Sequence, residues 1–371
     1  MRIYLDNNAT TPLHPAVLAV LDTSLRDTFG NASSIHAEGQ RARQLLEQAR
    51  EAVARFIGGS AREIIFTSGG TESNNAAISG AVPPDLRCHI VTSAVEHPSV
   101  EQALAALERR GCEVTRIPPS DQGLVDADAV IAAIRDDTRF VAVMLAHNET
   151  GVIQPVKAIG AVCRDRGIHF HCDAVQAAGK IAIDVEALGC DTLALSAHKM
   201  HAPKGIGALF VRSGLTMTPL LVGGSQERRR RAGTEPIPLA AAFGAAASLP
   251  LVEEQVRAMR DRLEERLRAE LDVKINGENV ARLPNTCNVT FRGADGEGIV
   301  IALDLEGVAV STGSACSSGR IEPSGALLAM GLTPDEARST VRISLSRLTT
   351  ADEIERTADL LREIVPRCRR S

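Results

Sequence analysis

Short runs of apolar and β-branched residues recur through the first 212 residues of the chain. Several of these runs are almost continuously apolar, as in "RFVAVMLA" at 139–146, which is typical of strands that are buried on both faces of a sheet. The pattern predicts strands at 63–68, 88–94, 113–117, 139–146, 168–174, 192–197 and 208–212.

Segments with helical spacing of apolar residues separate most of these runs. Between residues 35 and 57, Leu46, Ala49 and Val53 lie three or four positions apart, and Gly58 follows the last turn as a stop signal. Further helix-compatible segments lie at 71–82, 98–110, 125–136 and 155–166. Strands that alternate with helices predict an α/β fold built on a mostly parallel sheet.

The sequence changes character near residues 250–258. Beyond this point Val256, Leu263 and Leu267 form an apolar stripe along one long charged segment, which predicts a helix. The later runs "NTCNVTF" and "STVRISLS" have the composition of strands. We therefore expect a second, smaller α+β unit that begins near 250–258.

The composition of the 371 residues excludes two classes of partner. The chain is 44% hydrophobic and 23% charged, has a net charge of −5 and contains 2% aromatic residues without tryptophan. An acidic chain with so few aromatic side chains is a poor candidate for nucleic acid, even with four consecutive arginines at 228–231. Since no signal peptide or long apolar stretch is visible, we expect no membrane association and a cytoplasmic location.

The eight cysteines are scattered and include no C-x-x-C pair, so neither a zinc site nor a disulfide framework is indicated. Most of them are expected to be small buried residues. Cys316 differs because it lies in "STGSACSSGR", residues 311–320, where no neighbour from Ser311 to Gly319 has a side chain large enough to anchor the segment. The small residues around this thiol predict a segment that costs little to move.

Candidate chemistry begins at the ends of two predicted strands. Lys199 follows the strand at 192–197, at the edge where open α/β sheets bind ligands, although a surface lysine is the simpler interpretation. Asp173 ends another strand 26 positions earlier. His169, His171 and Asp173 share one face of that strand and could indicate a metal site. We favour a pyridoxal phosphate site, in which Lys199 binds the cofactor and Asp173 keeps its ring nitrogen protonated.

Other residues would complete such a site. In "FTSGGTES", Gly70 and Thr71 open a helix whose backbone N–H groups could hold a phosphate, although many turns of this kind are structural. His97 follows a strand and could stack on a flat ring and move protons, or could simply begin a helix. Arg342 could bind a substrate carboxylate through two hydrogen bonds, or form an ordinary salt bridge.

Motifs along nearly the whole chain resemble those of the cysteine desulfurases, which are pyridoxal-phosphate enzymes of the class V aminotransferase group. The similarity is greatest to the nitrogen-fixation and housekeeping type, which has a long cysteine loop. The motifs occur in the family's order and read "YLDNNATTP", "FGNASSIH", "FTSGGTES", "VEHPSV", "HNETG", "CDAVQ", "SAHKMHAPKG", "RRAGTE", "LPNT", "STGSACSSG" and "RISLSR".

The resemblance implies a role for each candidate residue. Lys199 carries the cofactor, Asp173 holds its ring nitrogen, His97 stacks on the ring, and Cys316 is the nucleophile that becomes a persulfide. Arg342 and Asn148 receive the substrate carboxylate. The remaining cofactor contacts, to the phosphate and the ring substituents, are Gly70, Thr71, Asn148, Gln176, Ser196, His198 and, from the partner subunit of a homodimer, Thr234.

The resemblance also implies a fold and a domain division. The fold is that of the fold-type I pyridoxal-phosphate transferases, with a mostly parallel, mixed seven-stranded sheet flanked by helices and a smaller α+β domain. The large, cofactor-binding domain spans residues 14–255. The small domain comprises residues 1–13 and 256–371 and carries the cysteine loop.

The implied reaction converts L-cysteine to L-alanine and leaves the sulfur on Cys316 for iron–sulfur cluster assembly or other thiolation. Related lyases, for selenocysteine or cysteine sulfinate, are the alternatives, and a non-catalytic scaffold is a third. Two departures from the family pattern are His147, where the family often has asparagine, and the 55 residues after Cys316, which are fewer than usual. The second departure leaves docking to an iron–sulfur scaffold protein open.

Overall fold

A mixed seven-stranded sheet forms the centre of the computed structural model, which describes residues 2–82, 87–312 and 323–369. Six neighbouring pairs join the strands. The strand Gly207–Val211 (β8) is antiparallel to both of its neighbours, while the other pairs are parallel. Across the sheet the order is β2 (Ile64–Thr67), β8 (Gly207–Val211), β7 (Thr192–Ser196), β6 (His169–Asp173), β5 (Thr138–Ala142), β3 (His89–Ser93) and β4 (Glu113–Ile117).

Apolar side chains cover both faces of this sheet. Phe66 and Val91 belong to the cluster on one face, while their chain neighbours Ile65 and Ile90 belong to clusters on the other. Because successive side chains of a strand point to opposite faces, a strand buried on both faces must be apolar at nearly every position. The predicted α/β fold with a mixed, mostly parallel seven-stranded sheet is confirmed.

Two sequence predictions were too long. The strand predicted at 139–146 ends at Ala142, although the backbone N–H groups of Val143 and Leu145 still donate to β6. Beyond them Ala146 bridges to Ile153, so the chain has already turned back. The helix predicted at 125–136 spans only Ala127–Ala132, since the following residues turn into β5.

Helices cover the two faces of the sheet and pack around the second unit. Polar side chains cap many of their first turns, as His97 does for the helix that begins at Pro98. The helices are α1 (Pro15–Asp27), α2 (Ala37–Phe56), α3 (Gly70–Ala81), α4 (Pro98–Arg109), α5 (Ala127–Ala132), α6 (Val156–Arg166), α7 (Val185–Leu188), α8 (Ile237–Ala247), α9 (Glu253–Glu270), α10 (Gly296–Leu305), α11 (Gly325–Ala329), α12 (Pro334–Arg338) and α13 (Ala351–Ile364). Short 3₁₀ segments lie at Ala61–Glu63, Ala197–Lys199, Gln226–Arg229 and Val365–Cys368.

The rest of the chain builds a separate apolar cluster around two small sheets. One sheet is antiparallel, in the order β12 (Thr340–Ser344), β10 (Thr286–Phe291) and β9 (Val273–Ile275), and the other pairs β1 (Ile3–Tyr4) with β11 (Val308–Ala309) in parallel. Side chains from Ile3 to Leu5 and from Val256 to Val365 share this cluster. The domain boundaries between residues 13 and 14 and between residues 255 and 256 stay a prediction. The buried residues of this cluster all lie on the small-domain side of those boundaries.

The parallel strands place their carboxyl ends at one edge of the large sheet. Because β3, β5, β6 and β7 run in the same direction, the residues that follow them meet there. Among the residues described, no helix combines the length and the apolar composition that crossing a membrane requires.

Candidate active site

A cavity of about 220 Å³ opens at this edge of the sheet. Of the candidate cofactor-binding and substrate-binding residues that the structure describes, nine line it, and Thr234 and Arg342 do not. The nine are Gly70, Thr71, His97, Asn148, Asp173, Gln176, Ser196, His198 and Lys199. Asn74, Ser99, Met144, Ala146 and Val175 complete the wall.

The first turn of α3 faces this cavity, and no side chain caps the N-terminus of the helix. Gly69 has φ 155° and ψ −176°, a conformation that essentially only glycine adopts. At Gly70 a Cβ would lie 2.7 Å from Val175 Cγ2, so a side chain would fill the space beside the turn. Free N–H groups at a helix start attract anions, and this turn is therefore a suitable cradle for a phosphate.

Lys199 lies at the end of the 3₁₀ turn that follows β7, and its amine is mostly buried. Its Nζ donates to the carbonyl oxygens of Asn8, at 2.5 Å, and Ala9, at 2.8 Å. Burial, followed by the charge of Arg342, lowers the pKa of the Lys199 ammonium to about 8. An amine with this pKa is partly unprotonated near neutral pH and can act as a nucleophile or a base.

Asp173 ends β6 and is buried on the floor of the cavity. Its Oδ1 accepts the backbone N–H of Val175 at 2.9 Å, and its Oδ2 accepts the side-chain Nδ2 of Asn74 at 2.7 Å. Two donors from different elements fix the direction of the carboxyl group. A carboxylate held in this way can pair with a cationic ring nitrogen.

His97 is the N-cap of α4 and lines the same cavity. Its Nδ1 accepts the backbone N–H of Ser99 at 3.1 Å, so the ring hydrogen lies on Nε2. Burial lowers the pKa of His97, although the charge of Asp173 opposes this effect. The imidazole is therefore neutral, and it can donate a proton from Nε2 or stack on a flat ring.

His198 and Ser196 lie on either side of Ala197, at the end of β7. Nδ1 of His198 lies 3.1 Å from the hydroxyl oxygen of Thr10. Burial, followed by the charge of Lys199, lowers the pKa of His198 to about 4. Both side chains face the cavity beside the start of α3, where they can serve a bound anion as hydrogen-bond partners.

Arg342 reaches the neighbourhood of the site from β12 but does not belong to the cavity wall. It is 5% exposed, and its guanidinium donates to Asp6 Oδ1 at 2.8 Å and to the carbonyl oxygen of Asn148 at 3.1 Å. Its buried Nε has no partner among the described residues. The salt bridge that the sequence allowed is present, and Nε is a buried donor whose hydrogen-bonding capacity is unused among the described residues.

Thr234 and His147 do not line the cavity. Thr234 is exposed on the loop before α8 and does not line the cavity of its own chain. Cys316, with the rest of 313–322, lies outside the described residues. His147 is buried and contacts the hydroxyl of Thr150 at 3.1 Å, so it packs inside the turn next to Asn148.

The histidines that suggested a metal site have other partners. His171 lies 3.0 Å from both Thr192 Oγ1 and Asn74 Oδ1, and His169 lies 3.0 Å from the same threonine hydroxyl. Among the residues described, no group of three His, Cys, Asp or Glu side chains is arranged to hold a metal ion. These histidines therefore belong to a hydrogen-bond network beneath the cavity.

Asn8 and Lys180 connect the residues of this site, and neither role could be predicted from the sequence. Asn8 is buried, its backbone carbonyl accepts from Lys199 and Gln176, and its Oδ1 accepts from Lys180 and Asn285. Lys180 also donates to Gln176 Oε1 at 2.7 Å, and burial lowers its pKa well below the usual range. Its place four residues after Gln176 was the only available signal.

Glu96 is a third residue whose contacts could not be predicted from the sequence. Its Oε1 accepts from Ser93 Oγ at 2.5 Å and from the backbone N–H of Met144 at 2.9 Å, while its buried Oε2 has no partner among the described residues. Burial raises the pKa of the Glu96 carboxyl from 4.5 to about 8. The protonated carboxyl thus ties the end of β3 to the chain that follows β5.

Replacing Glu96 by glutamine is expected to stabilise the protein at pH 8. The folded protein retains a proton that the unfolded chain releases above pH 4.5, so stability falls as the pH rises from 4.5 to about 8. At about 1.4 kcal/mol per pKa unit this penalty is roughly 4 kcal/mol at pH 8. Glutamine removes the penalty but buries amide N–H groups without a partner, so we expect a net gain of about 2 kcal/mol. Urea denaturation of the cofactor-free protein at pH 5 and pH 8 measures it.

The gain from Glu96→Gln should be lost at pH 5, which is only about half a unit above the pKa of the unfolded glutamate, so that most of the penalty has disappeared. The exposed Glu51→Gln variant serves as the control and should leave the free energy of unfolding unchanged at both pH values. An equal loss of stability at pH 5 and pH 8 in Glu96→Gln would show that the carboxyl is ionised in the folded protein.

Taken together, the residues present fit one kind of cofactor. An uncapped helix start suits a phosphate, Asp173 suits a protonated ring nitrogen, His97 can cover a flat ring, and the Lys199 amine can attack an aldehyde. The space next to Gly70, which a Cβ would fill, gives the phosphate room to approach the backbone.

Comparisons with known proteins agree with this interpretation. The family described as aminotransferase class-V matches residues 3–357. A cysteine desulfurase from Nostoc sp. (strain PCC 7120 / SAG 25.82 / UTEX 2576) is 44% identical, and the alignment covers 99% of this chain and 94% of the relative.

Solved structures give the same result. A structure titled "NIFS-LIKE PROTEIN" is 33% identical with a TM-score of 0.92, over 99% of this chain and 100% of the other. A second structure, titled "SspA in complex with cysteine", is 37% identical with a TM-score of 0.84, over 93% of this chain and 99% of the other.

Proposed function

The chain belongs to the class-V aminotransferase family, and from that premise we propose that it is a pyridoxal-phosphate-dependent cysteine desulfurase that forms a persulfide on Cys316. One observation carries the proposal: the cavity that contains the Lys199 amine is also lined by Asp173, His97 and the open start of α3. Nearly full-length similarity to a cysteine desulfurase supports the choice of substrate.

In this proposal each part of the cofactor is bound by a different set of cavity residues. The phosphate is held by the backbone at Gly70 and by Thr71, Ser196 and His198, which surround the start of α3. Asp173 pairs with the ring nitrogen, while His97 covers one face of the ring. Gln176 and Asn148 contact the ring substituents. When bound, pyridoxal phosphate supplies an electron sink that makes the bonds at the substrate α-carbon easier to break.

Lys199 carries the cofactor at rest and moves the substrate α-proton once its amine is free. A pKa of about 8 suits both roles, because such an amine is partly unprotonated near neutral pH. Contacts to the carbonyl oxygens of Asn8 and Ala9 hold Nζ at the rim of the cavity. His97, with its hydrogen on Nε2, is the candidate for proton transfer to and from sulfur.

Arg342 is the proposed partner of the substrate carboxylate, with Asn148 beside it. The guanidinium is oriented by Asp6 and by the carbonyl oxygen of Asn148, and its buried Nε lacks a partner among the described residues. A buried, unpaired N–H is costly, so binding of a carboxylate there is favourable. In this assignment the α-carboxylate of cysteine would lie between Lys199 and β12, the strand that carries Arg342.

Sulfur transfer would then proceed from the substrate to Cys316. The Cys316 thiolate attacks the substrate sulfur, an S–S bond forms and the C–S bond of cysteine breaks. The electron pair of that bond stays with carbon, which takes up a proton, so cysteine and a thiol become alanine and a persulfide without an external oxidant or reductant.

Two further parts of the proposal concern partners. Thr234 is exposed, so in a homodimer its side chain could bind the cofactor phosphate in the site of the second subunit. The persulfide sulfur would then pass to an acceptor protein, for which an iron–sulfur scaffold protein is the first candidate.

The protein loaded with pyridoxal phosphate is expected to release L-alanine from L-cysteine, with one sulfide for each alanine when a thiol reductant removes the persulfide. Amino-acid analysis and a sulfide assay on the same samples measure the ratio. The apo protein, prepared in parallel, is the control and should form neither product.

Other outcomes would separate the related activities. Turnover of selenocysteine at the same kcat/KM as cysteine would indicate a selenocysteine lyase, and turnover of cysteine sulfinate alone would indicate a desulfinase. A colourless protein that neither binds pyridoxal phosphate nor turns over any of the three substrates would contradict the enzymatic proposal.

A further inference from the structure

We propose that Asn74 and His171 are positioning residues that act on the cofactor through Asp173. His171 fixes the orientation of the Asn74 amide, and the amide in turn holds the Asp173 carboxylate and, through Ser99, the His97 ring. The proposal rests on the proposed function, because it concerns how this chain prepares the two groups that would contact pyridoxal phosphate.

Asn74 lies at the centre of the network. It is buried on the first turns of α3, and its Nδ2 donates to Asp173 Oδ2 at 2.7 Å and to Ser99 Oγ at 2.8 Å. A carboxylate only accepts hydrogen bonds, so the amide atom facing Asp173 must be the nitrogen. Both of its hydrogens are thereby used, and Asn74 Oδ1 is left as an acceptor.

His171 supplies the donor that this acceptor needs. It is fully buried, and its Nε2 lies 3.0 Å from Asn74 Oδ1, so the ring hydrogen must be on Nε2. Burial lowers the pKa of His171 to about 3, so the ring stays neutral and the second ring nitrogen must accept. Thr192 Oγ1, 3.0 Å from Nδ1, is the donor that satisfies it.

The network continues one residue further and runs in one direction. His169 Nε2 lies 3.0 Å from Thr192 Oγ1, and because the threonine hydrogen points to His171, His169 must donate to the hydroxyl oxygen. The donors therefore run in sequence from His169 through Thr192, His171 and Asn74 to Asp173. Aligned hydrogen bonds of this kind strengthen one another in a buried environment.

A branch of the same network reaches His97. Ser99 Oγ accepts from Asn74, and it lies 2.7 Å from His97 Nδ1, which already accepts the Ser99 backbone N–H. The serine hydroxyl must therefore donate to Nδ1 as well. One amide thus orients both the carboxylate below the ring site and the imidazole that covers it.

Loss of His171 would release the Asn74 amide. The buried Asn74 oxygen would lose its donor, the hydrogen bonds of the network would no longer be aligned, and the amide would donate a weaker hydrogen bond to Asp173. More of the carboxylate's negative charge would then act on the cofactor site, and this charge favours the protonated form of the nitrogen that joins Lys199 to the cofactor. The charged and titratable groups that act on Asp173 or Lys199 from neighbouring elements remain unchanged in these variants, and they include Asp6, Glu96, His97, Lys180, His198 and Arg342.

The test uses the holoenzyme and the visible absorption band of its bound cofactor. We expect His171→Leu to raise the pH midpoint of the band by about half a unit or more, and to lower kcat several-fold with a change in KM below about twofold. His171→Gln retains an N–H donor and should restore a midpoint close to that of the wild type.

His89→Leu is the matched control. His89 is also a buried histidine of the large sheet that contacts two threonines, Thr138 at 2.7 Å and Thr115 at 2.8 Å, but those contacts lie on β3 and its neighbours, away from Asp173. If His171→Leu fails to fold, Thr192→Val should shift the midpoint in the same direction by less, with Thr138→Val as its control.

A midpoint that is unchanged in His171→Leu and Thr192→Val, or that moves equally in the His89 and Thr138 controls, would overturn the proposal. If the wild type meanwhile binds cofactor and forms alanine, the proposed function stands and only the network proposal fails. A wild type without a visible band would remove the proposed function and this inference with it.

Discussion

Lys199→Ala is expected to lower the turnover of cysteine by about 10³-fold or more, because one residue both carries the cofactor and moves the α-proton. The buried amine, with its pKa lowered to about 8, is placed for both roles by the turn that follows β7. Steady-state alanine formation measures the loss. Borohydride reduction followed by peptide mapping should attach the cofactor to the Lys199 peptide in the wild type and nowhere in the variant.

Lys204→Ala provides the matched control for this prediction. Lys204 is an exposed lysine five residues further along the same loop, and its replacement should leave both turnover and borohydride labelling unchanged. A tenth of wild-type turnover retained by Lys199→Ala would contradict the role of Lys199. A label on Lys180, whose buried amine contacts Gln176 at the same site, would contradict it as well.

Cys316→Ser is expected to abolish sulfur transfer while leaving cofactor binding intact. The prediction rests on the sequence, since Cys316 lies outside the described residues, and on the need for a thiolate that a serine hydroxyl cannot replace. We expect alanine formation from cysteine to fall by about 10²-fold or more, with the visible band of the cofactor unchanged. A spectrum and a rate measured on one preparation separate the two effects.

Cys368→Ser is the control for the thiol. Cys368 is partly exposed, whereas the other six described cysteines are buried. Its replacement should leave the rate and the spectrum as in the wild type. Release of sulfide at the wild-type rate by Cys316→Ser would contradict the persulfide, and full loss of cysteine turnover with retained selenocysteine turnover would leave the lyase alternative open.

The large sheet could be predicted from the sequence because its strands are buried on both faces. Such strands produce continuous apolar runs that are easy to locate, as at 64–67 and 192–196. The ends of elements were harder to predict. Residues 143–146 are buried like a strand but already turn back toward Ile153, and no local pattern distinguishes the two cases.

The cavity residues could be predicted in part for a similar reason. Asp173 and Lys199 stand at strand ends, where the topology of a parallel sheet collects functional groups. Asn8 and Lys180 were missed because their contact spans 172 positions of the chain. The salt bridge between Asp6 and Arg342 spans 336 positions, and the raised pKa of Glu96 depends on burial that only the folded chain creates.

Single-turnover analysis of the holoenzyme tests the central claim most directly. The loaded protein is mixed with a limiting amount of L-cysteine in the absence of reductant and acceptor, and alanine is quantified while the peptides are examined by mass spectrometry. We predict that the peptide containing Cys316 gains the mass of one sulfur atom, in an amount equal to the alanine formed. Alanine formed while that peptide stays unmodified would contradict the account.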